Sequence, residues 1–165
     1  MLADAIVQVL EKRESVDGFK VIALGCGASG AEKSPKFSHL TGVDIYPYFD
    51  APVDKFIQHD VKKIREIIPD KSYDLVFCLD IIEHLTRREG KKLIKDAEAI
   101  ATKAIVFYTP LRWDKNCVSD KTFWAYGNPH NVHKSLWGPE DFKGYEILKP
   151  FPQDVSLGFL AVKWL

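Results

Sequence analysis

Asp80-Ile81-Ile82-Glu83-His84 puts two carboxylates and an imidazole within one helical turn of chain. If the segment turns as a helix, Asp80, Glu83 and His84 share one face at spacings of three and four. A histidine beside carboxylates can serve as a general base, because its neutral ring accepts a proton near pH 7 and the carboxylate steadies the cation formed. The same nitrogen and oxygen donors can hold a divalent metal. A metal-free reading makes Asp80 and Glu83 a capping-box-like pair for a local turn, with His84 stacked beside a bound ligand.

A second constellation lies upstream. Gly25-Cys26-Gly27-Ala28-Ser29-Gly30 follows an apolar strand, and Asp44 ends the next one. A glycine-rich turn lets backbone approach a ligand closely. A carboxylate offers several acceptor sites and can take both hydroxyls of a ribose. Gly25, Gly27 and Gly30 match G-x-G-x-x-G, with Asp44 19 residues after Gly25, so an NAD-binding oxidoreductase is one reading. Three features oppose it. Ser34-Pro35 interrupts the helix whose N-terminus would hold a pyrophosphate. Asp60 ends a third strand, where it can accept from an adenine amino group. A chain of 165 residues leaves little room for a separate catalytic domain.

The elements that position these residues follow from periodicity. Leu2, Ala5, Ile6, Val9 and Leu10 predict an amphipathic first helix. Strands are expected at 19–24, 40–45, 55–59, 73–79 and 104–108, the fourth a continuous apolar run of the kind buried on both faces. Val61, Ile64, Ile67 and Ile68 predict a short helix. Thr86 and Glu89 form a capping box for a longer helix over 87–102. A short helix at 139–142 and strands at 145–149 and 158–164 complete the chain. Strands alternating with helices mean a parallel α/β sheet, which binds ligands at the carboxyl ends of its strands.

The pattern as a whole resembles the class I S-adenosylmethionine-dependent methyltransferases over residues 19–165. Val21-Ile22-Ala23-Leu24-Gly25-Cys26-Gly27 looks like that family's first motif, Gly42-Val43-Asp44-Ile45 like its ribose motif and His59-Asp60-Val61 like its adenine motif. Residues 73–85 are similar to its fourth strand and the loop that follows. The resemblance implies a Rossmann-like fold with a seven-stranded, mostly parallel sheet in the order 3-2-1-4-5-7-6, the last strand antiparallel and helices on both faces. It implies S-adenosylmethionine over Gly25, Cys26, Gly27 and Ala28, with ribose on Asp44 beside Ile45 and adenine near Asp60 and Val61. Leu79 and Asp80 through His84 would border the methionine end. Two departures stand out: the family usually has Asp or Glu where this chain has Ala23, and its third glycine commonly falls where Ser29 stands.

Within the family, Asp80–His84 is similar to the Glu-x-x-Glu-His element of metal-dependent O-methyltransferases, among them small-RNA and quinone-pathway enzymes. The former add a histidine from a later segment, which His133-Lys134-Ser135-Leu136-Trp137 matches. The resemblance thus implies His84, Glu83 and His133 as catalytic candidates, and Asp80, Glu83, His84 and His133 as the ligands of a divalent metal if one is used. Similar Asp-x-x-Glu-His-Leu segments also occur in members not known to need metal, and the metal-free reading is carried forward.

Composition bounds the partners. The chain is 18.8 kDa, with 23 Lys plus Arg balancing 23 Asp plus Glu, 46% hydrophobic and 28% charged residues. These values fit one soluble domain spanning residues 1–165 and exclude a disordered chain, a collagen-like fibre and a coiled coil. A neutral balance favours a small-molecule acceptor over nucleic acid. The basic clusters Lys62-Lys63-Arg65 and Arg87-Arg88-Lys91-Lys92 read as solvated helix faces. No apolar run approaches 18 residues, so no membrane span is expected. Three cysteines without metal-ligand spacing read as reduced thiols in a cytoplasm. The aromatic stretch 111–137, with Trp113, Phe123, Trp124, Tyr126 and Trp137, is expected to form a lid over the acceptor. Ala23 keeps alive a catalytically silent binding module on the same fold.

Overall fold

Tyr73–Leu79 (β4) runs through the centre of the sheet and is buried on both faces, as an unbroken apolar strand requires. The computed structural model describes residues 2–113, 119, 121–122, 125–148 and 158–165. On one side β4 pairs in parallel with Lys20–Leu24 (β1), which leads to His39–Asp44 (β2) and Lys55–Gln58 (β3). On the other side it pairs in parallel with Ala101–Pro110 (β5). Antiparallel Gly158–Trp164 (β7) follows, and Glu146–Leu148 (β6) forms the edge. The order is β3-β2-β1-β4-β5-β7-β6, the one the family resemblance implies.

The period of two divides the core between the two faces. Val21, Leu75, Phe77 and Val106 face one side and bury Ile6 and Leu10 of the helix Leu2–Leu10 (α1). Ile22, Val76, Ile105 and Phe107 face the other and bury Leu93, Ala97 and Ile100 of the helix Arg87–Ile100 (α2). Each fully buried Leu or Ile contributes about 1.5–3 kcal/mol. The expected capping box of α2 is present: the Glu89 N–H donates to Thr86 Oγ1 at 3.3 Å, and the Thr86 N–H to Glu89 Oε2 at 2.9 Å.

Between β1 and β2, residues 25–38 form successive turns and no helix, as the interruption at Ser34-Pro35 implies. Ser34-Pro35 leaves no room for a run of i→i−4 bonds. The segment after β3 is a 3-10 turn, Val61–Glu66, with a non-helical Lys63 inside it. Helix α2 ends at Ile100 rather than 102, because Ala101 is already extended and pairs with Tyr73. The last two strands lie where expected, with Lys149 outside the described residues. No helix among the described residues is long and apolar enough to cross a membrane.

Candidate functional site

Strand order reverses between β1 and β4, so the chain leaves their carboxyl ends in opposite directions and opens a crevice there. The glycine turn after β1 forms its floor. Gly25 has φ 76°, and a Cβ on it would sit 2.5 Å from the Ile81 side chain. The N–H groups of Gly25 and Cys26 both donate to the Val43 carbonyl, at 2.7 and 3.1 Å, tying the turn to β2. Asp44 completes the link: Oδ2 accepts from the Gly27 N–H at 3.0 Å and Oδ1 from the Tyr46 N–H at 2.9 Å. Burial raises the Asp44 carboxyl above its ordinary value, while those N–H groups and His130 favour its charged form.

Two cavities meet this floor, and Gly25 and His84 line both. The larger, about 540 Å³, is lined by Gly25 to Ser29, by Leu79 and Asp80, and on its far side by Glu83, His84 and His133. The smaller, about 50 Å³, is lined by Asp44, Ile45, Asp60 and Val61 with His130 and Lys134. Every residue singled out from the sequence as cofactor-binding or catalytic therefore borders one of the two. Asp60 also caps the 3-10 turn, accepting from the Lys62 N–H at 2.9 Å.

The segment after β4 differs from a capping box. Asp80 has φ 50°, a left-handed position that aspartate tolerates, and its N–H donates to the Tyr108 carbonyl at 3.0 Å. Ile81, not Asp80, caps the 3-10 turn Ile82–His84, and no side chain bonds there. The Asp80 carboxyl instead hydrogen-bonds Glu83, whose Oε2 accepts from Thr109 Oγ1 at 3.1 Å. Burial raises both carboxyls, and Asp80 raises Glu83 further, so the pair shares a proton at neutral pH.

His84 is held the opposite way. Burial, and then His133, lower it to about 4, with a backbone hydrogen bond to Val132 opposing them. Its ring is neutral at pH 7, and Nδ1 is buried without a hydrogen-bond partner. His133 meets it edge to face, ring centroids 5.0 Å apart. The alignment comes from the Glu83 carbonyl, which accepts from the Lys134 and Ser135 N–H groups at 2.7 and 3.1 Å. Glu83, His84 and His133 each bring a ligand atom within 4.8 Å of the others. This trio fits a divalent metal; Asp80, paired with Glu83, stands outside it.

Sequence reasoning missed Glu32, which is buried and lines the larger cavity. It also missed His130 and Lys134 on the smaller one. An acidic residue in an irregular loop carries no periodic signal. The expected aromatic lid is partly corrected: Trp137 is core, while Trp113 and Tyr126 are exposed. Phe123, Trp124 and Cys117 lie outside the described residues.

The buried ionisable groups set a pH dependence. Glu32 is raised to about 7, by burial first and then by Asp80 and Asp44, against a backbone hydrogen bond. A carboxyl with a raised folded pKa binds more protons folded than unfolded, so stability falls as pH rises through that window. His84, lowered to about 4, acts oppositely, but only below its unfolded value of about 6.5. Well above pH 6.5 the carboxyls dominate, and the Cys26 and Cys78 thiols, raised by burial, add to the same loss as pH approaches 8.5. We expect the free protein to lose about 2 kcal/mol between pH 6.5 and 8.5, roughly 5 °C in melting temperature. A melting temperature constant or rising over that range contradicts this assignment.

Residues 22–102 match the family described as a methyltransferase domain. No curated protein sequence matches the chain. Among solved structures, magnesium protoporphyrin IX methyltransferase from Synechocystis PCC 6803 with bound S-adenosylmethionine is 16% identical, with a TM-score of 0.66 over 98% of this chain and 77% of that one. A SAM-dependent methyltransferase from Archaeoglobus fulgidus is also 16% identical, with a TM-score of 0.64 over 99% and 94%. A small RNA methyltransferase is 15% identical, with a TM-score of 0.59 over 96% of this chain but 24% of that one. At these identities the likeness is one of fold.

Proposed function

From a methyltransferase-domain match over residues 22–102 within the class I S-adenosylmethionine-dependent methyltransferase fold, we propose that the protein transfers the methyl group of S-adenosylmethionine to a small-molecule acceptor. The observation that carries this is Asp44: a carboxylate at the end of β2, bonded to the glycine turn, with acceptor capacity left toward the cavity that Asp60 and Val61 also line. Ribose binds there and adenine against Val61. The larger cavity takes the methionine end and the acceptor. The absence of any helix after the glycine turn opposes dinucleotide binding, since a pyrophosphate would find no helix N-terminus.

The sulfonium cofactor supplies an activated methyl and a good leaving group. The protein aligns the acceptor and removes its proton. His84, neutral at pH 7 and with Nδ1 unpartnered, is the group in the larger cavity that takes that proton. Among the described residues lining the larger cavity none is Lys or Arg, whereas binding a nucleic-acid backbone rests on cations. The basic groove lies elsewhere, along α2 at Arg87, Arg88, Lys91, Lys92 and Lys95. Leu111 and Trp113 are exposed beyond Pro110 on the rim, and Trp113 meets His133 edge-on at 6.2 Å. An apolar or aromatic acceptor suits that mouth.

The trio of Glu83, His84 and His133 supports a second reading, in which those residues would hold a divalent metal and the metal would supply Lewis-acid polarisation of an acceptor oxygen.

A thermal-shift panel tests both. At a hundred times its dissociation constant a ligand adds about 2.7 kcal/mol, roughly 5–10 °C for a chain of this size. S-adenosylmethionine and S-adenosylhomocysteine are expected to raise the melting temperature, and NAD and NADP to leave it unchanged. A shift with NAD alone overturns the reading. Zn²⁺ or Mn²⁺ added to chelator-stripped protein decides the metal version, which no shift would remove.

A further inference from the structure

The turn-rich link between β1 and β2 buries an acid. Glu32 is 3% exposed, it lines the larger cavity with Gly27 and Ala28, and its Oε2 is enclosed without a hydrogen-bond partner. The ionisable groups whose fields act on it are Asp80 and Asp44, both carboxylates. A buried carboxylate oxygen with neither a donor nor a cation costs several kcal/mol. Proteins keep such groups where a ligand completes them.

The backbone prevents the side chain from escaping to water. The Ala31 carbonyl accepts from the Ala3 N–H of α1 at 2.9 Å, which pins the loop beside Glu32 to the helix. The Lys33 N–H donates to the Gly30 carbonyl at 3.0 Å and the Ala31 N–H to Ser29 Oγ at 3.2 Å. Ala23, at the end of β1, brings no charge: it is buried between Gly42 and Phe77 on the neighbouring strands. The methionine end of the crevice thus lacks a carboxylate from β1 and has one from the loop.

We propose that Glu32 is the acceptor for a primary ammonium, the α-ammonium of the methionine portion of S-adenosylmethionine and S-adenosylhomocysteine. An ammonium has three donors and no acceptor. It satisfies Oε2 and offsets the negative field that Glu32 shares with Asp80 and Asp44. The assignment rests on the cofactor reading above and adds a residue that the glycine and ribose motifs do not contain. A ligand with the same adenosine and sulfur but no amino-acid portion gains nothing from it.

Calorimetry on wild type and Glu32→Gln with two ligands, S-adenosylhomocysteine and 5′-methylthioadenosine, tests this. Glutamine keeps the shape and removes the charge. Glu32→Gln is expected to weaken S-adenosylhomocysteine at least tenfold, about 1.4 kcal/mol, and to leave 5′-methylthioadenosine within twofold. Titrations at pH 7 in two buffers of different ionisation enthalpy give a second readout. Wild type releases part of a proton on binding S-adenosylhomocysteine, because the ammonium completes the ionisation of Glu32, and the variant releases less. Unchanged S-adenosylhomocysteine affinity overturns the proposal, as does an equal loss for both ligands, which marks a structural role. Wild type binding neither ligand overturns the cofactor reading itself, a result distinct from the other two.

Discussion

Asp44→Ala is expected to lower the affinity for S-adenosylmethionine at least tenfold in calorimetry, and 5′-methylthioadenosine by the same factor. Both oxygens of Asp44 are already engaged, by the N–H groups of Gly27 and Tyr46. A carboxylate has about four lone-pair sites, so capacity remains for the two hydroxyls of a ribose. Hydrogen bonds to a charged group contribute roughly 1.5–3 kcal/mol each, and losing one such bond passes the tenfold mark of about 1.4 kcal/mol. Alanine removes more: with Oδ2 gone, the Gly27 N–H loses its partner and the turn under the ligand loosens. Asp44→Asn separates the two effects, since its amide oxygen can still accept from one N–H while the charge is gone. The equal loss for 5′-methylthioadenosine distinguishes this residue from Glu32, because both ligands carry the ribose. Unchanged affinity in Asp44→Ala would sink the assignment of the ribose to β2.

What could be read in advance divides by the kind of signal. The apolar runs at 73–79 and in β1 follow from burial of central strands on both faces, and both lie where the pattern puts them. Strand order came from family resemblance, since no spacing rule selects 3-2-1-4-5-7-6 over other parallel orders. Gly25 and Asp44 were legible because a tight turn and a ribose each demand a residue type at one position. Glu32 was not legible. Its burial depends on α1 folding back onto Ala31, a contact 28 residues away in the chain that local pattern does not encode. Asp80 and Glu83 were given the right neighbourhood and the wrong bond: spacing suggested a cap, whereas the left-handed backbone at Asp80 brings its carboxyl to the carboxyl of Glu83. Trp137 failed for a related reason. An aromatic in an aperiodic stretch looks like a surface lid, and only the fold reveals the slot over Gly90 that receives it.

Trp137→Ala is expected to be the most destabilising of these substitutions. The side chain is 1% exposed, and its Nε1–H donates to the Ile82 carbonyl at 3.2 Å and to Ser135 Oγ at 2.8 Å. Ser135 Oγ in turn donates to the Leu85 carbonyl at 2.7 Å. The indole also packs on Phe142, ring centroids 6.0 Å apart, and lies under the Arg87 guanidinium at 4.3 Å. A Cβ at Gly90 would run into the ring, so the helix α2 has been cut back to admit it. Removing a buried Trp costs about 3–5 kcal/mol, roughly 6–20 °C in melting temperature. Trp137→Phe keeps most of the packing and loses the N–H, and about 1–3 kcal/mol follows for the polar groups left behind. The consequence reaches the site, because the same hydrogen bonds seat residues 133–137 on the turn that carries Glu83 and His84. As the anchor goes, His133 loses its fixed place beside His84, and any metal-dependent thermal shift disappears with it. A Trp137→Ala protein melting within 2 °C of wild type would contradict both halves of the argument, the packing of the core and the positioning of the trio.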